Sequence, residues 1–215
     1  MKKNLTEVVF VLDKSGSMSG LENDTIGGFN SLIKKQKNET GDAIVSTVLF
    51  SDEYEVIHNR QNIKDIPLLT SKEYYVSGCT ALLDAIGNSI DYILKNHNEL
   101  KEEEIPEKTI FIITTDGQEN ASREFNYKII KKLIENMKKK YKWEFIFLGA
   151  NIDTIDEANK LGIDTDNAVS FNCDELGVEL NYCSLNNAIK SIRKTKTLSK
   201  SWRKNIDNDI KNRVK

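Results

Sequence analysis

The run Val8-Val9-Phe10-Val11-Leu12-Asp13-Lys14-Ser15-Gly16-Ser17-Met18 decides how this chain folds. Its five leading apolar residues predict a strand with both faces covered, because an unbroken apolar run has no side to turn toward water. Asp13 is delivered to the carboxyl end of that strand. Small hydroxylated residues around a glycine follow, which suits a tight polar loop. A strand that ends in this way builds one wall of a polar crevice.

The segment Phe111-Ile112-Ile113-Thr114-Thr115-Asp116-Gly117 repeats the pattern, with a buried strand, a carboxylate and a turn glycine. Outward from these two segments, short apolar runs alternate with longer stretches of helical spacing, the sequence form of βαβ units. Strands are predicted near Glu7–Leu12, Ala43–Phe50, Glu53–His58, Thr109–Thr114, Glu144–Leu148 and Ala168–Phe171. Helices are predicted over Leu21–Lys37, Ala81–Asn96, Phe125–Lys140, Thr154–Leu161 and from Gly177 onward. Asp52 reads as a hairpin turn, which makes the third strand an antiparallel edge.

The predicted fold is α/β: a doubly wound, mostly parallel six-stranded sheet with one antiparallel edge strand and helices on both faces. In such sheets the crevice opens at the carboxyl ends where strand order reverses, between the first and fourth strands, so Asp13 and Asp116 face each other. In the third helix, Ile129, Ile130, Leu133 and Met137 form the predicted buried stripe, and Lys128, Lys131, Lys132, Lys138, Lys139 and Lys140 take the solvated face. Gly162 is expected to cap a helix in the left-handed conformation.

With 215 residues, 39% hydrophobic and 30% charged, the chain has the composition of a folded globular protein that buries its own core. A net charge of -2 gives no overall steering toward nucleic acid. The first apolar run is too short for a secretion signal, and no stretch reaches the length of a membrane span. Cys79, Cys173 and Cys183 form no C-x-x-C pair and read as reduced thiols, which places the protein in the cytoplasm.

A third polar piece, Ser77-Gly78-Cys79-Thr80-Ala81-Leu82, puts the Thr80 hydroxyl at the start of a helix. Two carboxylates and three hydroxyls, with no sulfur or imidazole among them, suit a hard cation: Mg²⁺, or Mn²⁺, with Ca²⁺ as a further occupant. The expected metal ligands are therefore Asp13, Ser15, Ser17, Thr80 and Asp116.

Asp13-Lys14-Ser15-Gly16-Ser17, Thr80 and Thr115-Asp116-Gly117 together resemble the three pieces of the metal-ion-dependent adhesion site of von Willebrand factor A domains. The likeness spans roughly the first four-fifths of the chain. It implies a Rossmann-like domain over residues 1–195, followed by a basic C-terminal tail or short helix over residues 196–215. It also implies that Ser15 and Ser17 ligate the ion directly, Thr80 directly or through water, and Asp13 and Asp116 largely through waters. The family consists of binding modules, so the expected partner is a protein that supplies a Glu or Asp to the ion. The run from Phe145 to Asp153 further resembles bacterial cytosolic members, which points to assembly or regulation of an intracellular complex.

An enzyme is not expected. Mg²⁺-dependent aspartyl phosphatases and phosphotransferases, the alternative reading of a strand followed by Asp, carry a second Asp two residues on, where this chain has Ser15. Neither a G-x-x-x-x-G-K-[ST] loop nor a G-x-S-x-G elbow occurs. A second alternative, nucleic-acid binding, rests on Lys190, Arg193, Lys194, Lys196, Lys200, Arg203 and Lys204 around Trp202. The spacing of Trp202, Ile206, Ile210 and Val214 predicts a short amphipathic helix there, read as a solvated terminal element.

Several residues have bland readings beside sharper ones. Asp84 either braces the site or faces solvent, Glu119 and Asn120 read as a polar loop, and Asp153 as a helix N-cap near Asn151. His58 and His97 read as surface or strand-edge residues. Cys79 reads as an inert packed thiol, and Glu102-Glu103-Glu104 as a solvated loop.

Overall fold

The computed structural model describes residues 1–213. One six-stranded sheet is built from β1 (Lys2–Asp13), β2 (Asp42–Phe50), β3 (Tyr54–Asn62), β4 (Pro106–Thr115), β5 (Glu144–Gly149) and β6 (Ala168–Ser170). The strand order is β3-β2-β1-β4-β5-β6, with only the β2–β3 pair antiparallel. The doubly wound α/β sheet with one antiparallel edge is thus as the sequence predicts. Order reverses between β1 and β4, which are neighbours with Leu12 opposite Thr114.

Six α-helices cover the sheet: α1 (Glu22–Lys37), α2 (Leu82–Glu99), α3 (Tyr127–Tyr141), α4 (Thr154–Leu161), α5 (Glu175–Thr195) and α6 (Lys204–Arg213). Period-two alternation along β1 sorts the core into two layers. Val8, Phe10 and Leu12 pack with α1, α5 and α6, whereas Val9 and Val11 pack with α2, α3 and α4.

β1 begins at Lys2 rather than Glu7, because residues before the apolar run already pair, Lys2 with Pro106 and Leu5 with Asp42. α5 begins at Glu175, where the Asp174 side chain accepts from Gly177 N and caps the helix ahead of the predicted start. In α3 the buried residues are Ile130, Ile134 and Met137, while Ile129 is exposed. The stripe is rotated from the predicted one because Ile130, Ile134 and Met137 are the residues that pack into the core layer shared with α2 and α4.

Both histidines are buried, so the surface reading fails, although His58 does lie on the edge strand β3. His97 Nε2 lies 2.5 Å from Glu7 Oε2, and Arg60 Nε lies 3.0 Å from Glu7 Oε1. Glu7 itself is fully buried, and the Arg60 guanidinium on β3 and the His97 ring on α2 compensate its desolvation. His58 stacks on Phe29 at 6.2 Å, and burial lowers its pKa.

Two clamps hold the C-terminal third of the chain. Arg193 on α5 donates to the Gln36 carbonyl and side chain and to the Glu39 and Gly41 carbonyls. Charge-assisted bonds of this kind, worth about 1.5–3 kcal/mol each, are what make a buried guanidinium tolerable. Trp202, buried, donates to the Asp166 carbonyl, and Arg203 donates to the Thr165 and Ala168 carbonyls beside β6. The segment after residue 195 therefore turns back onto the sheet through a short helix. Ile206 is buried and Ile210 packs against the same core layer, while Val214 lies outside the described residues.

The outer strands are irregular. β6 is three residues long, and β3 carries two register shifts against β2 with Arg60 at φ 48°.

Candidate metal centre

Each proposed ligand sits at or just after a strand end, or just before a helix. β1 places Asp13 at its last position, and the following residues make a single helical turn over Gly16–Met18. β4 ends at Thr115 and presents Asp116 beside it. Thr80 precedes α2, in a loop tied to the β1 end by bonds from Gly16 N to the Gly78 carbonyl and from Ser77 N to the Lys14 carbonyl. Gly78 has φ 73°, a left-handed conformation that favours glycine.

Four polar side chains then form one continuous string. Thr80 Oγ1 donates to Ser15 Oγ at 3.0 Å, Ser15 Oγ and Ser17 Oγ lie 3.0 Å apart, and Ser17 Oγ donates to Asp116 Oδ1 at 2.6 Å. Asp13 stands behind them, accepting from Ser15 N at 2.7 Å and from Thr115 Oγ1 at 2.6 Å. All five predicted residues are thus brought to one cleft, and Asp13, Ser15, Thr80 and Asp116 are buried.

The residues present fit a small cation. A Cβ on Gly117 would stand 2.8 Å from Ser17 Oγ and 3.1 Å from Thr80 Oγ1, so the missing side chain keeps a cradle open against those hydroxyls. Burial raises the pKa of Asp13 to about 6 and raises that of Asp116 as well, with hydrogen bonds only partly opposing the effect. Two desolvated carboxylates among hydroxyls are an anionic environment that a divalent ion relieves. Among the described residues, no cluster of three or more His, Cys, Asp or Glu offers a conventional alternative.

The surrounding loops explain residues that the sequence left ambiguous. Asn120 Oδ1 accepts from Thr80 N while Asn120 N donates to the Thr80 carbonyl, a reciprocal pair that fixes Thr80 against the loop after Asp116. Glu119 accepts from Leu83 N, Ala121 N, Ser122 N and Ser122 Oγ. Asp84 accepts from Arg123 N, Glu124 N and Phe125 N, so it braces this loop and does not stand free in solvent. Asp153 caps α4 as expected, and Gly162 ends it at φ 79°.

Tyr74 and Cys173 escaped the sequence reading. The Tyr74 hydroxyl donates to the Asp13 carbonyl at 2.6 Å from a fully buried position. Cys173 Sγ lies 3.9 Å from Asp116 Oδ2 at the rim. Only a tertiary contact could have revealed either. Cys79 is exposed, because Gly78 turns the loop outward there, and the packed reading does not hold.

The basic segment has largely committed its charges. Lys190 and Lys194 pair with Glu39, Lys196 with Glu107 and Arg203 with Asp207, while Arg193 is buried. No helix among the described residues is long and apolar enough to cross a membrane.

Residues 7–184 match the family profile of the von Willebrand factor type A domain. No curated protein matches the chain by sequence. Its fold is similar to that of a mutant PilB minor pilin from Streptococcus sanguinis, at 12% identity and TM-score 0.61, covering 89% of this chain and 63% of that one. It is also similar to proximal thread matrix protein 1 from the mussel byssus with a zinc-occupied MIDAS motif, at 16% identity and TM-score 0.54, covering 82% and 46%. A third similar structure is the manganese-loaded TRAP protein of Plasmodium vivax, at 13% identity and TM-score 0.55, covering 84% and 73%. The chain spans under half of the mussel protein and under two thirds of the pilin.

Proposed function

The chain belongs to the von Willebrand factor type A domain family, whose members commonly mediate metal-dependent protein interactions, and we propose that it too is a metal-dependent protein-binding module and not an enzyme. The observation that carries this reading is the string from Thr80 through Ser15 and Ser17 to Asp116, backed by Asp13.

Ser15, Ser17 and Thr80 would hold the ion with their hydroxyls, and Asp13 and Asp116 would supply its charge balance. When bound, a hard divalent cation, Mg²⁺ in the cell with Mn²⁺ as a substitute, supplies an electrophilic position that a Glu or Asp of a partner protein completes. Ser15 N and Thr115 Oγ1 orient the Asp13 carboxylate, and the Asn120 pair holds Thr80 in place. The resemblance of Phe145–Asp153 to bacterial cytosolic proteins supports a role in assembling or regulating an intracellular complex. The paired charges along residues 190–207 support this over nucleic-acid binding.

The test is calorimetric titration of EDTA-stripped protein with Mg²⁺ and Mn²⁺, with acetate as a stand-in for the partner's carboxylate. Folded Asp13→Ala and Ser15→Ala proteins serve as controls. Saturable binding that both substitutions abolish is expected. No binding of either ion, even with acetate present, would sink the proposal.

A further inference from the structure

Outside the metal cleft, a groove of about 280 Å³ runs between α1 and the first half of α5. Its wall includes Asp24, Gly27 and Lys35 from α1, and Glu175, Glu179 and Tyr182 from α5. Ligand sites for whole small molecules begin at about 300 Å³, so this groove has the size for a single long side chain.

Three independent observations say that it is built to be filled. The first is Gly27, next to Gly28 in the middle of α1. Gly28 is explained by Tyr182, whose ring would meet an added Cβ at 2.1 Å. Gly27 has no such neighbour, since a Cβ there meets nothing within 4 Å. A mid-helix glycine costs helix stability, and no contact within the chain requires this one. Its effect is to keep the groove open.

The second is Tyr182, whose side chain closes the inner wall with only 6% of the residue exposed. Its hydroxyl makes no hydrogen bond to any described residue, which leaves a donor and acceptor open. The third is charge. Asp24, Glu175 and Glu179 form no ion pair among the described residues, and Lys35 is the single cation of the wall.

We infer that this groove is a second binding site, taking an arginine or lysine side chain of a protein partner with its stem along Tyr182 and its head among Asp24, Glu175 and Glu179. A long basic side chain suits both halves of the wall, since its aliphatic stem tolerates burial while its head requires carboxylates. α1 and α5 both start at the carboxyl edge of the sheet, the edge that carries the metal cleft. A partner that reaches the ion with an acidic residue can therefore reach the groove with a basic one. That pairing rests on the proposed metal reading, but the groove itself does not.

The two are separated by titrating isotope-labelled protein with N-acetyl-arginine amide under two-dimensional NMR, once with Mg²⁺ and once with EDTA. Saturable shifts of the Gly27 and Glu179 amides are expected in both buffers and in Asp13→Ala protein, and none with N-acetyl-norleucine amide. Glu179→Gln should weaken binding about tenfold, the worth of one charge-assisted hydrogen bond. Gly27→Leu should abolish it, and this variant stays folded because leucine is the better helix former. An equal response to the norleucine compound, unchanged binding in Gly27→Leu, or no saturable shift at all would overturn the inference and leave the metal reading untouched.

Discussion

The hydroxyl of Tyr74 donates a 2.6 Å hydrogen bond to the backbone carbonyl of Asp13, and so ties the loop that leads to Thr80 to the end of β1. Removing only that oxygen leaves a buried carbonyl unpaired, at a cost of about 1–3 kcal/mol. Tyr74→Phe should therefore lower stability by that amount in urea denaturation and weaken Mg²⁺ binding several-fold, because the Asp13 and Thr80 loops lose their common anchor. Unchanged metal affinity in a measurably destabilised variant would show that the anchor serves the fold alone.

Gly117 stands where any side chain would enter the cleft. Gly117→Ala should abolish Mg²⁺ binding in calorimetry while leaving the far-ultraviolet circular dichroism unchanged, since its Cβ would come 2.8 Å from Ser17 Oγ. Its φ lies outside the left-handed range, so alanine brings crowding without backbone strain.

Acidity should tune the ion's effect. Asp13 has a folded-state pKa of about 6, above its unfolded value, so the metal-free fold holds extra protons between about pH 4 and pH 6. This contribution to stability is fully present in acid and is lost as pH rises through about 6. A cation substitutes for the proton. The rise in melting temperature on adding Mg²⁺ should accordingly grow between about pH 5 and pH 7.5, and Asp13→Asn should flatten the trend. A Mg²⁺ effect independent of pH in the unaltered protein would contradict it.

Glu7, fully buried between Arg60 and His97, belongs to the opposite end of the sheet from the metal cleft. Glu7→Gln should cost about 3 kcal/mol, because the half-buried guanidinium left behind loses its counter-charge. For a domain of this size that corresponds to a fall in melting temperature of about 10 °C. Mg²⁺ affinity, measured well below the transition, should not change.

Much of this architecture is local in origin and can be read residue by residue. The apolar runs ending at Leu12 and Ile113 define strands covered on both faces, and the polar residues after each one mark the crevice. The hydrogen-bonded string at the cleft was legible because its members follow strand ends or precede a helix, positions that chain order alone specifies. What escaped was tertiary. Glu7 looked like an ordinary strand-start residue until β3 and α2 brought Arg60 and His97 to it. Tyr74 lies in a segment without regular structure, where no periodicity announces burial. Asp84, Glu119 and Asn120 carry polarity without direction, and only the folded loops decide whether that polarity meets water or backbone. In α3, periodicity alone did not settle which flank of the apolar stripe meets the sheet, and packing buries Ile130 and Ile134 and leaves Ile129 outward.

The irregular outer strands bear on how the molecule behaves at high concentration. A sheet recruits another chain by offering a long, even row of free amides and carbonyls. Here one flank ends in the three residues of β6, with the Ala168 carbonyl engaged by Arg203. The other flank, β3, is broken by two shifts in register and by the left-handed turn at Arg60. Both borders are therefore poor templates for a strand from another chain.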